Sequence, residues 1–182
     1  MKEISLNILD IAMNSVKAKA SEIEISIEEN DETFALAVKD DGCGMSPEMI
    51  QNVTDPFYTT RTTRKVGMGI PLLKLAAEQT GGTFEIVSSD RPEDHGTKTS
   101  AVFNKNHIDF TPLGDIVTTV TTLIQGSPGI RWKFTHKYGD KAVELDTEEL
   151  KAVLGDVPLD TFEVIKWIEE SLKEEYSEIL NK

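Results

Sequence analysis

Residues 34–45 read FALAVKDDGCGM, and this stretch decides the fold. Apolar side chains occupy every second position of residues 34–38, as they do in a strand that buries one face. The run 23–27 shows the same alternation, and the turn-forming residues 29–32 separate the two runs. The sequence therefore predicts a β-hairpin whose second strand leads directly into a glycine loop.

Two pairs of glycines follow the hairpin. Gly42 and Gly44 are one residue apart, which lets the backbone approach a flat or anionic ligand closely. Gly67 and Gly69 open an apolar helix, whose first amide groups and positive dipole end favour an anion. No Walker loop is present, and Leu72 stands where the dinucleotide fingerprint requires a third glycine. The two common phosphate loops are thus excluded.

A helix is predicted over residues 4–19, upstream of the hairpin. Its predicted buried face carries Leu6, Leu9, Met13 and Val16, widened by Ile4, Ile8, Ile11, Ala12 and Ser15. Asn7, Asp10, Asn14 and Lys17 are spaced three or four residues apart and project from one polar face. Such a set is either a solvated face or a group of ligand-binding side chains.

The remaining pattern predicts two parts. Further helices are predicted over residues 46–53 and 71–80, and further strands over 84–86 and 101–103. Adjacent strands under segregated helices indicate an α+β fold, a two-layer α/β sandwich. The pattern restarts after residue 105 with a helix over 113–125, the strands 130–138 and 142–145, and two more helices. We therefore expect one domain over residues 1–105 and a small α+β appendage of unknown role over residues 106–182.

Composition excludes several classes of protein. The 182 residues carry a formal net charge of -13, which argues against binding to nucleic acid or to anionic membranes. Apolar runs are too short to span a bilayer, and no signal peptide is readable, so a cytoplasmic protein is expected. The single cysteine, Cys43, excludes an internal disulfide framework.

The order of these motifs resembles that of the histidine-kinase-like (GHKL) ATPase superfamily, over roughly residues 3–104. The series consists of Asn14, the 40–44 loop, Asp55-Pro56-Phe57, the 67–72 helix start and Gly96-Thr97. The resemblance implies a Bergerat-type ATP-binding fold, with ATP and Mg²⁺ as cofactors. Asp40 would accept a hydrogen bond from the adenine amine, and Asn14 would ligate the metal.

The resemblance also implies a nucleotide-binding set. Its members are Asn14, Asp40, Gly42, Gly44, Met45, Arg61, Arg64, Lys65, Gly67, Met68, Gly69, Ile70 and Thr97. Residues 59–66 would form an exposed lid whose three cations could stabilise charge during phosphoryl transfer. Asp10 would be the catalytic residue, although it is one methylene shorter than the glutamate that many relatives carry there.

The predicted function is that of a kinase acting on a separate protein. None of the histidines, His95, His107 and His136, has the neighbours of a phosphoacceptor, and the ATP domain begins too near residue 1 for a dimerising helix to precede it. His136 falls on the inward face of a strand, where a hydrogen-bonded core residue is expected. The resemblance is greatest to anti-sigma-factor kinases. An ATPase switch and a non-hydrolysing ATP sensor remain alternatives, and a homodimer remains open.

Overall fold

The computed structural model of the protein describes residues 3–55 and 68–180. In chain order its elements are α1 (Ile4–Lys17), β1 (Glu22–Glu29), β2 (Thr33–Asp40), α2 (Pro47–Val53), α3 (Gly69–Gln79), β3 (Thr83–Ser89), β4 (Gly96–Asn104), α4 (Ile116–Gly126), β5 (Arg131–Tyr138), β6 (Lys141–Asp146), α5 (Thr147–Leu154) and α6 (Phe162–Leu180). The predicted lid, residues 59–66, lies outside the described residues. So do Pro56 and Phe57 of the third motif.

The strands form one six-stranded sheet in the order β3-β4-β2-β1-β5-β6. The predicted hairpin is confirmed, because β1 and β2 pair antiparallel with Ile25 opposite Val38. The pairs β2–β4, β3–β4 and β5–β6 are also antiparallel, whereas β1 and β5 run parallel. A parallel pair requires a crossover, and the long segment from β2 to β5 provides it.

One face of the sheet is covered by helices. Alternate residues of β1, β2 and β5 are buried, and the intervening residues are only partly buried or exposed. Helices α1, α3, α5 and α6 contact β2, β4, β5 and β6, respectively. Helix α4 packs against α1 and α6. The result is a mixed α/β fold of two layers, as the sequence predicts.

The predicted buried face of α1 is partly wrong. The most deeply buried apolar residues are Ile4, Ile8, Ile11 and Ala12, each at most 3% exposed. Leu6 and Met13, which are predicted to lie on that buried face, are 44% and 39% exposed. Because α3 and α4 both contact α1, the covered arc is centred on the isoleucines and turns Leu6 and Met13 towards solvent. Asn7, expected on the polar face, is only 2% exposed.

Residues 106–180 share the sheet and the core with the preceding part. Strand β5 adds to β1 along its whole length, and the apolar cores of both parts form one cluster. The predicted boundary at residue 105 lies between β4 and α4 and stays a prediction.

Helix α4 begins at Ile116, later than the predicted residue 113. Asp115 caps it by accepting hydrogen bonds from the amide and hydroxyl of Thr118, at 2.9 and 2.6 Å. The carbonyls of Pro112 and Leu113 instead accept hydrogen bonds from the first amides of α1. Residues 112 and 113 therefore provide acceptors for the first amides of α1 and do not form the first turn of α4.

The last helix, α6, has 19 residues and is amphipathic. Val164, Ile168 and Leu172 repeat every four residues and are buried, whereas charged residues occupy most of the exposed positions. Across the residues that the structure describes, no helix combines the length and the apolar character needed to cross a membrane.

Candidate functional site

Four elements meet where β2 ends. Asp40, the last residue of β2, pairs with Thr97 near the start of β4. Helix α1 ends beside them, because the amide of Cys43 donates a 2.9 Å hydrogen bond to the carbonyl of Ala18. Strand β3 reaches the same place through Ser88, which lies opposite Thr97. The structure thus brings together motifs that are up to 80 residues apart in sequence.

Asp40 is held by two donors. The hydroxyl of Ser15 donates to its Oδ2 at 2.5 Å, and the amide of Gly42 donates to its Oδ1 at 2.9 Å. Each carboxylate oxygen has two lone pairs, so both can accept one more hydrogen bond. The carboxylate is therefore oriented by the protein and retains the capacity to accept a donor from a ligand.

The glycines of the 40–44 loop are required by contacts within the chain. A Cβ at Gly42 would lie 2.7 Å from the Cβ of Ala18, which is closer than two carbons approach. Gly44 has a φ of +71°, and a Cβ there would lie 1.7 Å from the carbonyl oxygen of Ser89. Close packing of this loop against α1 and β3 accounts for both residues, and their contacts with a nucleotide stay predictions.

The neighbouring Asp41 fixes the loop. Its carboxylate accepts hydrogen bonds from the amides of Ser21 and Glu22, at 2.7 and 3.0 Å, and from the hydroxyl of Ser21. Burial raises the pKa of Asp41, but these hydrogen bonds outweigh it and hold the pKa below its usual range. Asp41 is therefore ionised and hydrogen-bonded within the protein, and ligand binding by Asp40 stays a prediction.

Ser88 connects Met45 with Thr97. Its hydroxyl accepts a 2.8 Å hydrogen bond from the amide of Met45, donates at 3.0 Å to the carbonyl of Gly96, and lies 2.7 Å from the hydroxyl of Thr97. The predicted residues Met45 and Thr97 thus belong to one hydrogen-bonded group. His95 adds a 2.8 Å contact between its Nδ1 and the carbonyl of Gly42.

Asp10 and the start of α3 lie against each other. Gly69 is buried, and a Cβ there would lie 2.8 Å from the Cβ of Asp10. Asp10 is exposed, and partial desolvation by its neighbours raises the pKa of its carboxyl group, opposed by the charge of Lys17. Of the other α3 residues in the predicted set, Ile70 is buried and Met68 half-buried.

Asn14 lies one helical turn after Asp10 and is half-buried. Its backbone carbonyl accepts a 2.9 Å hydrogen bond from the amide of Ala18, which ends the helix. Four further predicted residues, Arg61, Arg64, Lys65 and Gly67, lie outside the described residues.

Sequence reasoning missed Ser15 and Ser88 as members of this site. Ser15 directly follows Asn14 and was assigned only to the buried face of α1. The local sequence around Ser88 carries no signal, because its role depends on the pairing of β3 with β4. Among the described residues, no cluster of three histidine, cysteine or acidic side chains could hold a metal ion.

Two bacterial sensor proteins are similar to this chain in sequence. A probable C4-dicarboxylate sensor kinase of Bacillus subtilis is 33% identical over 100 residues, which are 53% of this chain and 18% of the kinase. The sensor protein SrrB of Staphylococcus aureus is 33% identical over 93 residues, 48% of this chain and 16% of SrrB. The match therefore spans less than a fifth of either sensor protein.

The fold has a solved counterpart in the Aquifex aeolicus MutL ATPase domain complexed with ADP. The TM-score is 0.51 at 15% identity, over 85% of this chain and 69% of that domain. The sequence model described as "Histidine kinase-, DNA gyrase B-, and HSP90-like ATPase" matches residues 1–107, which is more than half of the chain. The chain therefore belongs to the family of histidine kinase-, DNA gyrase B- and HSP90-like ATPases.

Proposed function

We propose that this protein binds Mg-ATP where β2 ends and transfers the γ-phosphate to a separate protein. The observation that carries the proposal is the arrangement of Asp40, whose carboxylate is oriented by Ser15 and Gly42 and retains free lone pairs. A fixed carboxylate accepts a hydrogen bond from the exocyclic amine of adenine. Guanine has a carbonyl at that position, so the site would select ATP over GTP.

Asn14 and α3 would hold the phosphates. The side-chain oxygen of Asn14 is the type of ligand that Mg²⁺ prefers, and Mg²⁺ commonly takes one or two protein ligands beside waters and phosphate oxygens. Asn14 fits that pattern, because it is half-buried and lies one helical turn after Asp10. When bound, Mg²⁺ would neutralise phosphate charge. Gly69 and Ile70, the first residues of α3, carry amides without a partner inside the helix, and such amides favour an anion.

The phosphoacceptor is proposed to lie on another protein. His136 is 5% exposed, and its two nitrogens lie 2.8 Å from the hydroxyl of Tyr176 and 2.9 Å from Oε1 of Glu29. This confirms it as a hydrogen-bonded core residue, unable to accept a phosphate in the folded protein. The Nδ1 atoms of His95 and His107 contact the carbonyl of Gly42 and the carboxylate of Asp109. A partner in signal transduction would supply the acceptor.

Several finer features belong to the same proposal. Asp10 would activate or orient the nucleophile, and Arg61, Arg64 and Lys65 would contact the phosphates. We place the protein in the cytoplasm and assign residues 1–105 to nucleotide binding and residues 106–182 to an attached part. An ATPase switch or an ATP sensor would use the same pocket without a transferred phosphate.

Calorimetric titration with Mg-ATP and Mg-GTP tests the binding half of the proposal. We expect ATP to bind and GTP not to compete, with binding lost in Asn14→Ala and Asp40→Asn. Asn106→Ala, at an exposed position away from the site, is the matched control and should bind normally. Failure of the wild-type protein to bind ATP would overturn the proposal.

Turnover tests the catalytic half. Release or transfer of phosphate from ATP labelled at the γ position should be measured for the wild type and Asp10→Asn, with and without a cell extract as a source of acceptor. Transfer of the label to a protein whose mass differs from that of this chain supports the kinase function. Phosphate release alone supports the ATPase switch, and tight Mg-ATP binding without turnover supports the sensor.

A further inference from the structure

Asn7 is a buried polar side chain without a partner. It is 2% exposed, and its Nδ2 forms no hydrogen bond within the described part of the chain. Buried amide groups in native proteins almost always find partners, because burial without one loses the hydrogen bonds of water and gains none. Each exception calls for an explanation, and the position of Asn7 in α1 suggests one.

Asp10 lies one helical turn further along the same side of α1. Residues three apart on a helix are neighbours, and side chains tilt towards the helix N-terminus. A carboxylate at position 10 can therefore reach the turn that carries Asn7. No hydrogen bond to this carboxylate is formed by residues 3–55 or 68–180, and desolvation raises its pKa. A buried donor without a partner in the described residues and an exposed carboxylate are thus one turn apart.

Helix α3 limits where the Asp10 side chain can go. Gly69 lies so close that a Cβ there would be 2.8 Å from the Cβ of Asp10. The next residues of α3 on the core side, Ile70 and Leu73, are 5% and 1% exposed and close the interface between the helices. Asp10 is therefore packed beside Gly69, and a hydrogen bond from Asn7 requires its carboxylate to turn towards the preceding helical turn.

We propose that Asn7 is a positioning residue for Asp10, donating a hydrogen bond to its carboxylate in the ATP-bound protein. This hydrogen bond holds the carboxylate towards the nucleophile. It compensates for the short reach of aspartate, because near-attack geometry tolerates little misplacement. The inference rests on the proposed function, in which Asp10 acts on the nucleophile.

Asn7→Leu separates this role from simple packing. Leucine has the same branched shape and number of side-chain heavy atoms as asparagine and lacks the unpaired amide, so the variant should melt near the wild-type temperature or higher. We expect the Kd for Mg-ATP to stay within about twofold and kcat to fall roughly 10- to 100-fold. If Asn7→Leu is less stable than the wild type, Asn7→Ala serves as the second variant. It should lose turnover in the same way. Ser5→Ala, at another buried polar position of α1, is the control and should keep wild-type kcat.

A double-mutant cycle decides whether Asn7 acts through Asp10. In the Asp10→Asn background, single-turnover rates at excess enzyme should show no further loss when Asn7 is replaced. Unchanged kcat in Asn7→Leu and Asn7→Ala, or an equal loss in both backgrounds, would overturn the inference. Mg-ATP binding without wild-type turnover would also overturn it while leaving the binding proposal intact. Absence of ATP binding would show instead that the proposed function itself is wrong.

Discussion

The hydroxyl of Ser15 donates a 2.5 Å hydrogen bond to Oδ2 of Asp40 and so joins the last turn of α1 to the end of β2. Ser15 is 3% exposed, so water does not compete strongly for this contact. Two residues that are 25 positions apart thus share one fixed geometry. The rotamer of the proposed adenine-binding carboxylate is set by a helix that also carries Asp10 and Asn14.

Ser15→Ala should weaken ATP binding without removing it. The hydrogen bond from Gly42 would remain, so Asp40 would lose only part of its orientation. A hydrogen bond contributes about 1 kcal/mol, which corresponds to a Kd about fivefold higher by calorimetric titration. Ser26→Ala, a half-buried position in the middle of β1, is the control and should keep the wild-type Kd. An unchanged Kd in Ser15→Ala would mean that Asp40 does not depend on this contact for binding.

Asp10→Asn should raise stability while it strongly lowers turnover, leaving a residual rate that single-turnover measurements can follow. Desolvation raises the pKa of Asp10, so the folded state disfavours its charged form. Stability should therefore fall as pH rises through the pKa that Asp10 has in the unfolded chain, and the neutral amide should avoid this loss. Melting temperatures of the variant and the wild type should differ at pH 7 and converge below about pH 4. A lower melting temperature for the variant at pH 7 would contradict this account.

Local signals in the sequence were sufficient for much of the fold. Alternating apolar residues predicted the β1–β2 hairpin. Ser46-Pro47 predicted the start of α2, where the Ser46 hydroxyl accepts a 3.3 Å hydrogen bond from the amide of Met49. The order of the motifs predicted the family because each motif depends on residues close in sequence. The positions of Asp40 and Thr97 on paired strands then follow from the family fold.

Features that depend on distant contacts could not be predicted in this way. The exposure of Leu6 and Met13 depends on where α3 and α4 cover α1, which helical periodicity does not specify. The parallel pairing of β1 with β5 joins segments about 100 residues apart, and no local pattern encodes it. Ser88 enters the site only through the register of β3 on β4.

Asp146→Asn should lower stability at neutral pH and have little effect in acid. Asp146 accepts hydrogen bonds from Nε and Nη2 of Arg131 at 3.1 and 2.7 Å, and chiefly for this reason its pKa is lowered. The ionised form therefore contributes stability above its unfolded pKa of about 4, which is lost as pH falls through the folded value.

Asparagine can still cap α5, where Asp146 accepts a 3.0 Å hydrogen bond from the amide of Glu148. Only the ion pair is then removed, and urea unfolding at pH 7 should show a loss of about 1 kcal/mol. The difference should shrink as the pH falls below about 4 and disappear once it is below the lowered pKa of the folded state. A difference that persists in acid would assign the effect to capping or packing instead.

Tyr176→Phe should destabilise the contact between α6 and the sheet. Burial raises the pKa of Glu29, but hydrogen bonds from His136 and Lys105 outweigh it and keep the pKa low. The Nε2 of His136 lies 2.9 Å from Oε1 of Glu29, and its Nδ1 lies 2.8 Å from the Tyr176 hydroxyl. Removing that hydroxyl leaves a buried nitrogen unpaired and should lower the unfolding free energy by about 1–3 kcal/mol. Tyr138→Phe removes an exposed hydroxyl and should cost less.

A fragment that ends at residue 105 should not fold as the whole chain does. Strand β1 lies in the middle of the sheet, with Ile23, Ile25 and Ile27 at most 2% exposed, and its pairing partner β5 lies beyond the cut. Truncation would leave β1 as an unpaired apolar edge, which promotes aggregation. We expect size-exclusion chromatography to show aggregates, and circular dichroism to show no cooperative melting, whereas the full chain melts as a monomer or defined oligomer. A fragment that melts cooperatively and binds Mg-ATP would establish residues 1–105 as a self-contained domain.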